Sequence, residues 1–424
     1  MNKSIFDSKN IYEIKTKDEI FSGNVMPNSD GNTIFLKLNS GYNIAIKKNE
    51  IKSVKLIKKI RKEAVKKEKI MQNNNLSTVV ILHTGGTIAS RVDYKSGAVE
   101  SSFTPEDILA SFPELKDLAN IRSRLIFNVF SENMGFKHYN LLAKEIKKEA
   151  GKGVKGIIVT HGTDTLAYTS AALSFILEDL PVPVILVGSQ RSSDRGSSDA
   201  FLNLLSAVNF IVKTDFADVA ICMHENQNDD SCVILPALKT RKLHSSRRDA
   251  FKAVNSTPYA RVKDGSVEFL SKNYKKRSNN KIKLKLIKEN LKIGMVKVHP
   301  NMLAEELKPY LKFNGLILEG TGLGHIATEG KILNEIKKVA KKIPVLMTTQ
   351  TIFGRVNMNV YSTGIKLQEA GVIGNLNDML AETAFIKMAW LLSNYPRQVK
   401  ELISKNLKGE INDRILPSQY DIYS

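Results

Sequence analysis

Residues 77–89 read STVVILHTGGTIA, and this stretch predicts the fold of most of the chain. Its first part, STVVILH, is a continuous apolar run typical of a strand buried on both faces of a parallel sheet. Similar runs follow at residues 154–161 (VKGIIVTH) and 181–189 (PVPVILVGS), and ADVAICMH supplies a fourth, with helical stretches between them. Strands that alternate with helices predict a doubly wound α/β domain with a mainly parallel sheet.

Changes in pattern divide the chain into three predicted parts. Residues 1–75 hold short alternating apolar runs separated by turn clusters, which predict a small antiparallel β-barrel followed by a basic linker. Residues 76–278 carry the α/β pattern. Near Asn279 the chain becomes rich in lysine, and the segments IGMVKVH, FNGLILEGTG and IPVLMTT then predict a smaller α/β domain over residues 285–424.

The composition is that of a globular chain, with 42% hydrophobic and 25% charged residues among 424. The sequence has no apolar run of about 18 residues that would span a membrane. Its N-terminal segment, MNKSIFDSKN, lacks the apolar stretch of a signal peptide. We therefore expect a cytoplasmic protein. The two cysteines, Cys222 and Cys232, are too few for a disulfide framework or a zinc quartet, and we expect both to be small core residues.

The chain is strongly basic, with 63 Lys and Arg against 43 Asp and Glu and a net charge of +20. This charge suits an anionic partner such as RNA, but a lysine-rich composition from an AT-biased genome would also produce it. Residues 47–70 hold eleven basic side chains against three glutamates. Either an RNA-facing surface or a solvated linker has this composition.

The turn after the first strand, HTGGT at residues 83–87, is a candidate ligand site because ligands of open α/β sheets bind at the carboxyl ends of strands. Its two glycines let the backbone approach a ligand and present N–H groups, and Thr87 would place a hydroxyl in the crevice. An ordinary βα turn also contains Gly-Gly-Thr, so this motif alone leaves both interpretations open. The Gly-Lys-Ser/Thr ending of a P-loop is missing.

Two further segments hold polar side chains of the right type for chemistry. HGTDT at residues 161–165 follows a second buried strand and precedes a helix, so Thr163 or Asp164 would either cap that helix or reach the same sheet edge. Capping needs one such residue rather than a dense cluster. Lys242 lies in TRKLHSSRRDAF (240–251), which by itself has the composition of a solvated basic loop.

These residue types together are sufficient for attack on an amide. A threonine hydroxyl is a weak nucleophile that needs a proton acceptor and donors for the oxyanion. A buried lysine can approach neutrality and serve as base or relay, and a carboxylate can orient it. Thr87, Thr163, Asp164 and Lys242 therefore form a chemically complete set without His, Cys or metal.

At these residues the sequence resembles the asparaginase/glutaminase family. The resemblance covers about residues 77–400 and rests on five segments: TGGTIA (84–89), HGTDT (161–165), GSQR (188–191), Lys242 ahead of Phe251, and LEGTGLG (318–324). It implies an asparaginase-like doubly wound sheet plus a smaller C-terminal α/β domain.

One branch of that family is more similar than the rest: the glutaminase subunits of archaeal tRNA-dependent amidotransferases. The predicted N-terminal barrel, HSSRRDAF (244–251), FGRVNMNVYSTG (353–364) and the segment from Glu369 to Leu392 all resemble this branch. The resemblance implies a ligase component that hydrolyses glutamine and supplies ammonia for converting Glu-tRNA(Gln) to Gln-tRNA(Gln).

The resemblance also implies roles for residues. Thr87 would be the nucleophile, although the sequence does not decide between it and Thr163 as the residue that forms the ester. Thr163 and Asp164 would position the substrate and relay protons, with Lys242 tuning them. Ser131 and Glu132, in FSENM, would hold the α-carboxylate and α-amino ends of the substrate.

Two more side chains are expected at the site from the same resemblance. Ser189 would line the site from the third strand. Family members often carry a tyrosine on a mobile loop after the first threonine, and Tyr94 is the candidate here, although the loop is short.

The implied assembly contains the E-type subunit of the same amidotransferase as partner, in a tetramer of two of each chain. A homodimer of this chain would form its centre. ATP and Mg²⁺ would be used by the partner, which would also bring Glu-tRNA(Gln), and no cofactor or metal is expected in this chain. Two alternatives stay open: a free-standing L-asparaginase with an extra domain, and an RNA-binding or scaffold protein built on an inactive amidase fold.

Overall fold

The computed structural model describes residues 10–26, 32–38, 43–59, 73–86, 90–92, 99–101, 113–191 and 197–420. The chain divides into two compact units, one made of Met1–Met71 with Ser90–Ser102 and the other of Gln72–Ala89 with Phe103–Ser424. The basic segment at residues 60–72 lies outside the described residues. No helix within the described ranges is long and apolar enough to cross a membrane.

The first unit is an antiparallel sheet whose strands are β1 (Asn10–Lys15), β2 (Ile20–Val25), β3 (Thr33–Leu38), β4 (Asn43–Lys47) and β5 (Ser53–Lys59). Their order in the sheet is β4-β3-β2-β1-β5. This sheet explains the alternating apolar residues of the N-terminal sequence. Ile34 pairs with Ile46, and both are buried together with Leu36 and Ile14. Among the described residues the outer strands β4 and β5 do not pair, so this part shows a sheet without barrel closure. A short hairpin, β7 (Ser90–Val92) with β8 (Val99–Ser101), belongs to the same unit.

The second unit contains an eight-stranded sheet. Its strands are β6 (Thr78–His83), β9 (Asn120–Leu125), β10 (Gly156–Thr160), β12 (Val184–Val187), β13 (Val219–His224), β14 (Ser231–Pro236), β17 (Ala260–Lys263) and β18 (Ser266–Phe269). They lie in the order β18-β17-β14-β13-β12-β10-β6-β9. The five strands from β9 to β13 along the sheet are parallel, and the remaining three are antiparallel.

Helices cover both faces of this sheet, which explains the continuous apolar runs. They are α1 (Phe136–Ala150), α2 (Leu166–Ile176) and α3 (Ala200–Lys213). Val80 and Leu82 of β6 lie in one core cluster, and Val79 and Ile81 lie in the other. Both sets of alternate side chains are therefore buried, as a strand in the middle of an α/β sheet requires.

A smaller parallel sheet follows in the same unit. Its elements are β20 (Ile293–Lys297), β21 (Gly315–Gly320), β22 (Val345–Thr349), β23 (Val372–Ile373), α4 (Ile332–Lys342), α5 (Ser362–Glu369), α6 (Ala381–Asn394) and α7 (Val399–Leu402). The four strands lie in the order β20-β21-β22-β23. Two minor pairs complete the strands: β11 (Leu177–Glu178) with β19 (Lys283–Leu284), and β15 (Thr240–Lys242) with β16 (Phe251–Ala253). The predicted fold class, a doubly wound sheet with a smaller C-terminal α/β domain after a small β-domain, is confirmed.

Candidate active site

Four loops meet at one edge of the large sheet. They follow β9, β6, β10 and β12, which are adjacent and parallel, and their last residues are in register, with His83 opposite Leu125 and Thr160 opposite both His83 and Val187. The carboxyl ends of parallel strands lie at the same edge, where open α/β sheets bind ligands. The polar motifs singled out in the sequence follow β6 and β10, so the sheet brings them together.

The turn after β6 is fixed by two glycines in the left-handed region, Gly85 at φ 110° and Gly86 at φ 87°. A Cβ on Gly85 would lie 2.5 Å from the carbonyl oxygen of Val129, and one on Gly86 would lie 2.8 Å from the backbone nitrogen of Gly162. Both positions therefore require glycine, for backbone conformation and for space. The result is direct contact between the turn after β6 and the loop after β10.

Lys242 reaches that second loop from a hairpin far along the chain. It lies on β15 opposite Phe251, whose buried ring anchors β16. Its Nζ donates hydrogen bonds to Thr163 Oγ1 at 2.9 Å and to Asp164 Oδ1 at 2.8 Å. The lysine side chain is 14% exposed and the aspartate 69% exposed, so the pair lies at the mouth of the site. Three of the four predicted catalytic residues are thus in mutual contact.

The helix-capping alternative for these residues is not favoured by the contacts. Thr165 is the N-cap residue of α2, yet no side chain caps that helix. Thr163 and Asp164 bind Lys242 instead, and the Thr165 hydroxyl donates to the carbonyl oxygen of Ser131 at 2.6 Å. The cluster therefore holds neighbouring loops together and presents two side chains to a lysine.

The loop after β9 packs closely on the loop after β10. Ser131 is buried, and a Cβ on Gly162 would lie 2.9 Å from Ser131 Oγ. Glu132 is exposed beside it in the short 3-10 turn Ser131–Asn133. This places Ser131 and Glu132 beside the loop that carries Thr163 and leaves Glu132 exposed to solvent.

The loop after β12 is held by Asp199, immediately before α3. The carboxylate of Asp199 accepts hydrogen bonds from the Ser189 hydroxyl at 2.9 Å, from the Gln190 backbone nitrogen at 3.0 Å and from the Arg191 backbone nitrogen at 2.9 Å. Ser189 is buried, and its hydroxyl is used in this network. Gln190 faces the site, because its Oε1 accepts a hydrogen bond of 3.4 Å from Thr163 Oγ1.

Two histidines lie in the site segments but are neutral structural groups. Burial lowers the pKa of His83 to about 3 and that of His161 to about 4. His161 Nδ1 lies 2.7 Å from the carbonyl oxygen of Gly162, which can only accept, so Nδ1 carries the proton and Nε2 accepts from the Thr169 hydroxyl at 2.8 Å. Neither ring is placed to act as the general base for Thr163.

Two of the predicted site residues, Thr87 and Tyr94, lie outside the described residues. The described backbone leads up to Thr87, because Gly86 precedes it in the chain and contacts Gly162. The roles assigned to Thr87 and Tyr94 stay predictions.

Comparisons with known proteins agree over nearly the whole chain. Residues 78–275 match the family described as Asparaginase, N-terminal, residues 292–403 match the Glutaminase/Asparaginase C-terminal domain, and residues 7–57 match the GatD N-terminal domain. The D-type subunit of glutamyl-tRNA(Gln) amidotransferase from Methanococcus maripaludis is 45% identical over 96% of this chain and 99% of its own length. The chain belongs to the asparaginase family, in the branch of the D-type amidotransferase subunits. The corresponding protein of Pyrococcus furiosus is 43% identical over 94% of this chain and 93% of its own.

Solved members of the asparaginase family share the fold of the second unit. The thermostable L-asparaginase from Thermococcus kodakarensis is 30% identical with a TM-score of 0.72, covering 80% of this chain and 100% of that one. L-asparaginase I from Vibrio cholerae is 28% identical with a TM-score of 0.67, covering 80% of this chain and 99% of that one. The asparaginase-like fold is therefore established by both sequence and structure.

Within this asparaginase-family site, sequence reasoning missed Gln190 and Asp199. The sequence analysis included Gln190 only as part of the GSQR segment. The position of this residue in the sequence does not show that its side chain faces Thr163. Asp199 precedes an apolar helical run, so its sequence signal is that of a helix cap. Its actual contacts are mainly with the loop after β12.

Proposed function

We propose that this chain is the glutaminase subunit of a tRNA-dependent amidotransferase, and that it supplies ammonia to a partner subunit. The observation that carries the proposal is the pair of hydrogen bonds from Lys242 Nζ to Thr163 and Asp164, at the sheet edge that the Gly85-Gly86 turn also reaches. This arrangement suits proton transfer to and from a threonine nucleophile.

In the proposed reaction the hydroxyl oxygen of Thr87 attacks the side-chain amide carbon of glutamine. The hydroxyl proton passes to the Thr163–Lys242 pair, and the carbon–nitrogen bond breaks as the amide nitrogen takes a proton and leaves as ammonia. Water then attacks the glutamyl ester, which releases glutamate and restores the Thr87 hydroxyl. Lys242 takes that proton through Thr163 as the neutral amine and, as the ammonium paired with Asp164, returns it to the departing amide nitrogen; the same transfer serves the attack of water on the ester.

The other proposed contacts orient the substrate. Asp164 is largely exposed and has only one oxygen bound to Lys242, so its carboxylate is available for the α-amino group of glutamine. Ser131 and Glu132 lie on the neighbouring loop, where they would bind the α-carboxylate and the α-amino group. Ser189 would contribute through its backbone, since its hydroxyl is bonded to Asp199.

The proposed partner is the E-type subunit of the amidotransferase. It would activate the γ-carboxylate of Glu-tRNA(Gln) with ATP and Mg²⁺ and amidate it with the ammonia. We propose a homodimer of this chain at the centre of a tetramer with two copies of the partner. This part of the proposal is supported by relatives that are themselves named subunits of such an enzyme and that match this chain over more than nine tenths of its length.

A free-standing L-asparaginase is the second candidate, since two solved L-asparaginases share the fold. Both cover 80% of this chain, whereas the amidotransferase relatives cover 94–96% of it. Residues 7–57, in the N-terminal segment, match the GatD N-terminal domain. This observation favours the amidotransferase.

Trapping the covalent intermediate tests the proposed chemistry. The holoenzyme, or this chain with its partner, would be treated with a diazoketone analogue of glutamine and digested for mass spectrometry. The expected result is a single label on the peptide that contains Thr87, abolished by Thr87→Ala. A label on Thr163 would refute the assigned nucleophile, and full glutamine hydrolysis by the Thr87→Ala variant would refute threonine catalysis at this position.

A further inference from the structure

We infer that Gln190 is a substrate-contacting residue, whose Nε2 donates a hydrogen bond to the oxygen of the amide under attack, and that Asp199 is the positioning residue that holds it there. This inference rests on the proposed glutaminase function and names a donor that the function needs. Negative charge develops on that oxygen when threonine attacks, and a positioned donor stabilises it.

The direction of the hydrogen bonds around Thr163 fixes the orientation of the Gln190 amide. Before the reaction begins, Lys242 is the ammonium paired with Asp164 and can only donate, so it donates to Thr163 Oγ1 at 2.9 Å. The hydroxyl proton of Thr163 is then directed at Gln190 Oε1, 3.4 Å away. Because Oε1 faces Thr163, Nε2 occupies the other arm of the amide, close to the hydroxyl that would relay the proton.

Nε2 is buried and has no hydrogen-bond partner among the residues that the structure describes. A buried donor left without a partner is destabilising, and native proteins rarely keep one without a reason. A substrate oxygen would satisfy it. Nε2 can only donate, so its ligand must accept, as the oxygen of the amide under attack does.

The order of the strands indicates which substrate oxygen this is. Ser131 and Glu132 follow β9, the turn that leads to Thr87 follows β6, Thr163 follows β10, and Gln190 follows β12. Ser131 and Glu132 therefore lie on one side of Thr163, Asp164 is next to it in the same loop, and Gln190 lies on the other side. The side-chain amide of glutamine is the end of the substrate that faces Gln190.

Asp199 holds the backbone from which Gln190 projects. It is fully buried, and its two carboxylate oxygens accept from the Gln190 and Arg191 backbone nitrogens and from the Ser189 hydroxyl. Asn203 adds a second brace, because its Nδ2 donates to the carbonyl oxygen of Gly188 at 3.0 Å and to Asp199 at 3.2 Å. The four consecutive residues 188–191 are thus held by Asp199, immediately before α3, and by Asn203 within α3.

The test compares Gln190→Met, Gln190→Glu and Asp199→Asn in the full assembly, with glutamine as substrate and ammonia as readout. Gln190→Met removes donor and acceptor and keeps the length, so kcat should fall by about 10²-fold, the effect typical of one oxyanion donor, with KM changing less than about threefold. Gln368→Met is the matched control, because its Nε2 serves Met358 and Asn359 in the C-terminal domain. The control should keep wild-type kcat.

Gln190→Glu separates the donor from the acceptor, because a carboxylate still accepts from Thr163 but cannot donate. At neutral pH its kcat should fall as far as that of Gln190→Met. Its activity relative to wild type should rise as the pH falls toward the carboxyl pKa of about 4.3, since the protonated acid regains a donor. A Gln190→Glu enzyme with wild-type kcat at neutral pH would overturn the donor role.

A double-mutant cycle tests the role of Asp199 as a positioning residue. If Asp199 acts through Gln190, Asp199→Asn should lower kcat in the wild type and lower it by less than about twofold further in the Gln190→Met background. Additive losses would show that Asp199 acts independently of Gln190 and would refute its positioning role. If the wild-type assembly releases no ammonia from glutamine, the proposed function fails. If wild type is active and Gln190→Met retains its kcat, only this inference fails.

Discussion

Replacing Lys242 with methionine removes a charged group and two hydrogen bonds while keeping the length of the side chain. The lysine donates to Thr163 Oγ1 and Asp164 Oδ1 and makes its ion pair with a carboxylate that is 69% exposed. Exposed ion pairs contribute about 0–1 kcal/mol to the free energy of unfolding. The loss of stability in Lys242→Met should therefore stay below about 1 kcal/mol, or a shift of Tm by less than about 4 °C.

The effect on catalysis should be much larger. A positioned group that takes part in proton transfer contributes about 10²–10⁴-fold to the rate, which corresponds to about 3–5 kcal/mol of transition-state stabilisation. Lys242→Met should lower kcat for glutamine by that factor. Lys242→Arg should not restore it, because guanidinium keeps the charge but does not release a proton at neutral pH.

The assay is ammonia release under saturating glutamine, together with the melting temperature of each variant. Lys275→Met is the control, because its Nζ forms a Lys–Asp pair of the same length, 2.8 Å, with Asp218 and takes no part in the site. It should match Lys242→Met in stability and the wild type in kcat. A Lys242→Met enzyme with kcat within about threefold of wild type would refute the proton-transfer role.

Three other perturbations test the fold around the site. Gly86→Ala should lower kcat/KM by about 10²-fold, because its Cβ would lie 2.8 Å from the Gly162 nitrogen and would push the two loops apart. Burial lowers the pKa of His161 to about 4, so between pH 6.5 and 4 the unfolded chain binds more protons than the folded one. The free energy of unfolding should therefore fall by up to about 3 kcal/mol as the pH decreases from 6.5 to 4. Chemical denaturation at each pH should show a smaller decrease in His161→Asn. Asp378→Ala should lower the free energy of unfolding by about 3–5 kcal/mol, since it leaves Lys239, 2.8 Å away, buried without its partner.

Matched control variants separate these specific effects from a general loss of folding. Gly330 also has a positive φ, 66°, but has nothing within 4 Å of an added Cβ, so Gly330→Ala should leave kcat/KM unchanged. Asp215 pairs with Lys276 at an exposed position, and Asp215→Ala should cost less than about 1 kcal/mol. His299 is exposed, and the Pro300 carbonyl and Glu306 raise its pKa, so its contribution to stability changes only above pH 6.5. His299→Asn should therefore leave the decrease in the free energy of unfolding between pH 6.5 and 4 as in the wild type. Equal behaviour of any variant and its control would contradict the corresponding explanation.

The parallel core was predictable because its strands are buried on both faces. That environment produces continuous apolar runs such as residues 79–82, which are distinct from helical or half-exposed patterns. Loops that follow parallel strands meet at one edge, so the close approach of Gly86 to Gly162 followed from topology alone. The antiparallel strands β14, β17 and β18 at one end of the sheet were not predicted. β14 (SCVILP) is a buried apolar run like those of the parallel strands, whereas β17 and β18 have only four residues each.

Sequence patterns did not predict the contacts of Lys242, Lys239 and Lys387. Lys242 and Asp164 are 78 residues apart, and only the resemblance to a family brought them together before the structure was known. Lys239 and Lys387 are fully buried and paired with Asp378 and Glu410, although a lysine in a basic sequence normally predicts a solvated surface. Burial of a charge depends on its partner, and partners distant in sequence leave no local signal.

The proposed function is tested most simply by ammonia release from glutamine and from asparagine, using the purified chain first alone and then with the partner protein, Glu-tRNA(Gln), ATP and Mg²⁺. We predict that glutamine hydrolysis rises sharply in the complete mixture, because uncoupled hydrolysis would waste the ammonia. Strong asparagine hydrolysis by the chain alone, unaffected by the partner, the tRNA or ATP, would contradict the amidotransferase proposal and leave an independent asparaginase.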